Sequence, residues 1–70
     1  MNNIKYYREK RNLSQLAVAE KLSVSQQAVA KWETEESLPR ADKLWKLAQI
    51  FHCTIDDLLS ETKTNKRRTK

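Results

Sequence analysis

The sequence predicts an all-α fold, a compact bundle of five short helices, and three observations predict it. Apolar residues recur at three- and four-residue spacing through residues 4–59. Residues that cap or stop helices fall between those runs: Asn12, Ser14, Ser23, Ser25, Pro39 and Thr54. At 70 residues the chain holds one domain, with a core built from a few large side chains.

The first helix spans about 3–11, with Ile4 and Tyr7 on one face and Arg8 beside them. Asn12 ends it, because asparagine tolerates the left-handed conformation at a helix terminus. Ser14 caps a second helix, Gln15 to Leu22, expected to bury Leu16, Ala19 and Leu22. Ser23-Val24 makes a turn, and Ser25 caps a third helix from Gln26 to about Glu33, with Val29 and Trp32 facing inward. Glu35 to Pro39 is a loop. The fourth helix runs from about Ala41 to Phe51 and is expected to bury Leu44, Leu47, Ala48 and Phe51. Thr54 caps the last helix, and Asp57 three residues on gives a capping box with aspartate in place of glutamate. Ile55, Leu58 and Leu59 complete it. Residues 1–59 form the domain, and 60–70, which lack any apolar residue, are expected to be a disordered basic tail.

Composition excludes several functions. No apolar run approaches the ~20 residues that cross a bilayer, and the polar start Met1-Asn2-Asn3-Ile4-Lys5 is no secretory signal, so a cytoplasmic protein is expected. Cys53 and His52 are the only cysteine and histidine, too few ligands for a structural zinc site, so neither metal nor cofactor is expected. Cys53 reads as a small buried hydrophobe. The chain has no glycine for a phosphate loop and no Ser/His/Asp constellation, and Asp56 and Asp57 point in different directions on a helix. An enzyme and a small-molecule binder are both disfavoured. The net charge of +5 is unevenly laid out: residues 1–31 carry +4, residues 32–59 carry −3 and the last eleven carry +4. A positive first half beside a negative second half suits a one-sided contact with nucleic acid.

Gln15 to Thr34 resembles the helix-turn-helix of the phage-repressor family that includes the lambdoid repressors and Cro proteins (Cro/C1-type, XRE-like), and the likeness extends from Ile4 to Leu59. Gln15 opens the first motif helix. Ala19 stands where only a small side chain fits between crossing helices, and Val24, Val29 and Trp32 match the apolar positions that pack them. Trp32-Glu33, the loop to Pro39 and Leu44-x-x-Leu47-Ala48 fit as well. Four slots where the family commonly has glycine hold Asn12, Ser23, Glu35 and His52 instead. The resemblance implies a transcriptional regulator, expected to be a repressor, that binds a double-stranded DNA operator with a recognition helix at about 25–33. It also implies a structural pair, Arg8 with Glu33; phosphate is the alternative partner for Arg8.

A helix in the major groove presents its N-terminal turn to the base edges. Val29 and Trp32 face inward, so the outward set is Gln26, Gln27, Ala30 and Lys31, with Thr34 at the end. A glutamine amide complements the N6 and N7 edge of adenine, Ala28 or Ala30 suits a thymine methyl, and Lys31 suits guanine or phosphate. The resembling lambdoid repressor has the same Gln-Gln pair at this place. Carried over, Gln15 is a clamp that bonds phosphate or braces Gln26. Arg11, Ser25, Thr34, Arg40 and Lys43 are the further backbone candidates, whereas Glu35 and Glu36 would repel phosphate. Because one helix reads only about four base pairs, a weak homodimer is expected, with Trp45, Ile55, Leu58 or Leu59 as its surface. The rival is a protein-interaction module, an antitoxin or a scaffold of the same fold, whose acidic loop would meet a basic partner.

Overall fold

The structure is a computed structural model that describes residues 2–59. Its helices are α1 (Ile4–Lys10), α2 (Gln15–Leu22), α3 (Gln26–Thr34), α4 (Ala41–Phe51) and α5 (Ile55–Leu59), with no strand among the described residues. The expected tail, 60–70, lies outside them.

The caps form as their chemistry dictates. Ser14 Oγ accepts from the Ala17 amide at 3.0 Å and Ser25 Oγ from the Ala28 amide at 3.1 Å. Thr54 and Asp57 make the reciprocal capping box: the Asp57 amide donates to Thr54 Oγ1 at 2.9 Å and the Thr54 amide to Asp57 Oδ2 at 3.1 Å.

Four helix ends are closed by one device. Asn12, Ser23, Glu35 and His52 all lie in the left-handed region, with φ of 59°, 59°, 67° and 58°. In each case the next residue's amide reaches back five positions: Leu13 to Arg8 O (3.1 Å), Val24 to Ala19 O (3.0 Å), Glu36 to Lys31 O (2.9 Å) and Cys53 to Ala48 O (3.0 Å). The left-handed residue itself donates three positions back, which completes a Schellman arrangement. A Cβ in this region costs about 1–2 kcal/mol, so the turns keep their glycine shape without glycine. Ser23→Gly is therefore expected to raise stability by roughly 0.4–1 kcal/mol, the strain relieved less the added entropy of the unfolded glycine. Thermal melting checks this; an unchanged or lower midpoint would show that Ser23 carries no strain.

The core joins all five helices: Ile4 and Tyr7 from α1, Val18, Ala19 and Leu22 from α2, Val29 and Trp32 from α3, Leu47, Ala48 and Phe51 from α4, and Leu58 from α5. Burying each large side chain contributes about 1.5–3 kcal/mol. α2 and α3 make the most extensive packing, with Ala19 and Val29 both buried. The chain start ties two helix ends together. Asn3 donates its amide to Leu58 O at 2.8 Å and its side chain to Asp57 O at 2.9 Å, while Asn2 Nδ2 donates to Trp32 O at 2.8 Å.

Four burial expectations need correction. Leu16 is 51% exposed, and Val18 takes its place at 0%. At about 100° per residue, Gln15, Val18, Ala19 and Leu22 share one arc of α2 and Leu16 lies roughly 100° from its centre. Leu44 and Cys53 are only half-buried at the edge of the core. Leu58 is fully buried, so it has no place on a dimer surface; Trp45, Leu59 and Ile55 remain, with Trp45 58% exposed.

Candidate nucleic-acid interface

α3 is divided lengthwise. At about 100° per residue Gln26, Gln27, Ala30, Lys31 and Thr34 share one arc, while Ala28, Val29 and Trp32 fall on the other. Burial follows that division. Gln26, Gln27, Lys31 and Thr34 are exposed, Val29 and Trp32 are buried, and Ala28 packs against the core. Ala28 thus leaves the base-reading set, and Ala30, half-buried within the outward arc, stays in it.

The N-terminal turn of α3 is braced through Gln26 by three side chains, Arg8, Glu33 and Gln15. Arg8 Nε donates to Glu33 Oε2 at 2.6 Å, and Arg8 Nη2 to Glu33 Oε1 at 3.4 Å. Only 11% of the Arg8 side chain and 5% of the Glu33 side chain are exposed, which removes phosphate as the partner of Arg8. Arg8 Nη1 also donates to Leu13 O at 2.7 Å, fixing the α1–α2 turn. Gln15 Nε2 donates to Glu33 Oε1 at 3.0 Å, and Gln26 Nε2 donates to Gln15 Oε1 at 3.4 Å. A buried ion pair is thereby wired to an exposed amide at the tip of α3. The bracing of Gln26 by Gln15 was an expectation of the sequence. The Gln15–Glu33 bond joins two residues of the motif that stand 18 positions apart, a separation at which sequence spacing gives no sign of contact.

The candidate backbone groups separate in the same way. Ser14 and Ser25 stand at the starts of α2 and α3, where unpaired amides and the helix dipole favour an anion. Arg11 and Arg40 are exposed, and Arg40, the N-cap residue of α4, makes no side-chain cap bond. Thr34 Oγ1 bonds Lys31 O at 3.3 Å, at the far end of α3. Lys43 has a structural use as well: its half-buried side chain donates from Nζ to Leu22 O at 3.1 Å, closing the end of α2. Glu35 and Glu36 follow the last turn of α3. Nine residues at 1.5 Å each put them about 13 Å from Gln26, beyond a Debye length of ~8 Å at physiological salt. Their charge thus bears little on the tip of the helix.

Among the described residues no cluster of His, Cys, Asp or Glu is placed to hold a metal ion, and no helix is long and apolar enough to cross a membrane.

Comparison with known proteins agrees with this architecture. The helix-turn-helix family profile matches residues 4–58. The chain is 42% identical over 50 residues to the HTH-type transcriptional activator BcrR of Enterococcus faecalis, a match covering 71% of this chain and 24% of that protein. It is 37% identical over 57 residues to the uncharacterized HTH-type transcriptional regulator MJ0272 of Methanocaldococcus jannaschii, covering 81% of this chain and 86% of that one. The chain thus spans about a quarter of the first relative and most of the second. With five helices, a matching profile and two regulators as relatives, the chain belongs to the Cro/C1-type helix-turn-helix family of DNA-binding transcriptional regulators.

Proposed function

We propose that the domain binds operator sequences in double-stranded DNA by laying α3 in the major groove, with Gln26, Gln27, Ala30 and Lys31 against the base edges. The observation that carries this is the divided α3: a polar, exposed strip anchored from behind by Val29 and Trp32. Gln26 and Gln27 suit adenine, Ala30 a thymine methyl, and Lys31 a guanine or a phosphate. The amides at the starts of α2 and α3, together with Ser25, Arg11, Arg40 and Thr34, hold the phosphates and set the register, while Gln15 braces Gln26. Two copies, meeting through the exposed side of α4 and α5 around Trp45, read half-sites about one helical turn apart. One relative is named an activator. Whether a bound domain activates or represses depends on where its operator lies relative to a promoter, so the proposal commits to operator binding alone.

Selection of bound fragments from random duplex DNA tests this. The expected result is one enriched half-site, repeated with two-fold symmetry. No enrichment would shift the assignment to a protein-interaction module, for which the exposed Glu35 and Glu36 of the acidic loop would meet a basic partner.

Lys63, Lys66, Arg67, Arg68 and Lys70 lie in the sequence beyond the described residues. Each phosphate neutralised adds ~0.9 to the salt-dependence slope, and partial engagement of these five charges would contribute ~2. Truncation after Glu61 is expected to flatten the slope by about that amount and to weaken selected and random DNA by similar factors. Titrations at several salt concentrations check this; an unchanged slope would remove the segment from the interface.

A further inference from the structure

We propose that Glu33 is a positioning residue for base recognition: its carboxylate, clamped by Arg8, sets the amide polarity of Gln15 and, through Gln15, that of Gln26. The proposal rests on the DNA-reading role of α3 and adds a residue that touches no base.

A carboxylate accepts hydrogen bonds and donates none. Gln15 therefore faces Glu33 with its nitrogen, and Gln15 Nε2 stands 3.0 Å from Glu33 Oε1. Its oxygen is then turned toward Gln26, which meets it with Nε2 at 3.4 Å. Gln26 is left with Oε1 and one N–H of its amide for a base. That is the acceptor–donor pair that matches N6 and N7 of adenine. With the relay reversed, the oxygen and nitrogen of the Gln26 amide would change places, and an N–H would stand where the oxygen now meets the base. Adenine N6, a donor, would then face an N–H, and N7, an acceptor, would face the oxygen. The choice between the two states is made at Glu33, because it alone in the relay has a single hydrogen-bonding character.

Arg8 keeps that carboxylate in register. Its guanidinium bonds both oxygens, at 2.6 and 3.4 Å, and the Glu33 side chain is 5% exposed, so it has little room to turn away. Charge, burial and hydrogen bonding thus run in one chain from the core to the tip of the reading helix.

The test uses the half-site selected by the unaltered chain, with each base pair randomised in turn and binding measured by competitive selection. Glu33→Gln keeps the shape and an acceptor for Arg8 but can face Gln15 with either amide atom. The expected result is a roughly five- to tenfold loss of preference at the base pair read by Gln26, with preferences set by Gln27 and Lys31 retained. Because Glu33→Gln also weakens the fold, Gln15→Met is the companion variant. It breaks the relay while leaving Arg8 and Glu33 paired, and it should relax the same base pair with the melting temperature little changed. In a Gln26→Ala background neither substitution should alter that base pair further. Uniform weakening across all sequences, or a lowered melting temperature with every preference intact, would overturn the positioning role. So would a Gln26→Ala variant that relaxes the base pair when Glu33→Gln and Gln15→Met do not. If Gln26→Ala is itself inert, or no half-site is selected, the reading role of α3 fails and the proposal fails with it.

Discussion

Arg8→Ala is expected to destabilise the domain by about 3–5 kcal/mol, the cost of leaving one partner of a buried ion pair uncompensated. Glu33 would stay behind with its side chain 5% exposed, and its remaining side-chain donor would be Gln15 at 3.0 Å. Leu13 O would also lose the donor that fixes the α1–α2 turn at 2.7 Å. Domains of this size hold only about 0.05–0.15 kcal/mol per residue, so the loss is a large share of the total. With roughly 4–8 °C per kcal/mol for a small domain, the midpoint should fall by on the order of 12 °C or more. Thermal and urea unfolding measure it. A loss within ~0.5 kcal/mol would mean that the pair behaves like an exposed one despite its burial.

The same pair shows how much of the site was legible in the sequence. Arg8 and Glu33 were matched by resemblance, since nothing in the spacing of two charges 25 residues apart says that they meet. The helices themselves were plainer, because capping is local: Ser14, Ser25 and the Thr54–Asp57 box act within three residues of their own positions. Of the left-handed turns only that at Asn12 was plain; serine and glutamate in glycine slots left the shape of two turns open, and their backbone geometry proves to be that of glycine turns. Burial was less legible. Leu16, Ala19 and Leu22 make an acceptable helical stripe, yet α2 packs against both α3 and α4, and the arc that serves both is centred between Val18 and Ala19. One-dimensional periodicity cannot weigh two neighbours at once. The structural use of Lys43 was missed for a related reason. A lysine one turn from an exposed arginine invites phosphate, and the carbonyl left over at the end of α2 also lies within its reach. The anchoring by Asn2 and Asn3 left no signal at all, since their partners stand 30 and 54 residues away and are backbone atoms.

Gln27→Ala is expected to cost about 1–3 kcal/mol against the preferred operator, roughly 5- to 150-fold in affinity, and much less against random DNA. Gln27 is exposed in the first turn of α3, beside a Gln26 whose amide is already oriented by Gln15. The two glutamines therefore contribute differently. Gln26 arrives with its polarity set, whereas none of the hydrogen bonds among the described residues holds the Gln27 side chain, which must be ordered by the base it meets. Ordering a glutamine side chain on binding costs about 0.5–1.5 kcal/mol. Its bidentate contact must exceed that cost, and only the matching base supplies the contact in full. Phosphate contacts from Arg11, Arg40 and the helix starts are the same on any duplex, so random binding should barely change. The fold should be unaffected, because the side chain is exposed and alanine is the better helix former. Affinities for the selected operator and for random duplex, measured at one salt concentration beside a thermal melt, check all three parts. An equal loss on both duplexes would remove Gln27 from base readout and leave it a backbone contact. A loss confined to the operator, with the melting temperature held, is what a base-reading side chain on a rigid helix should produce.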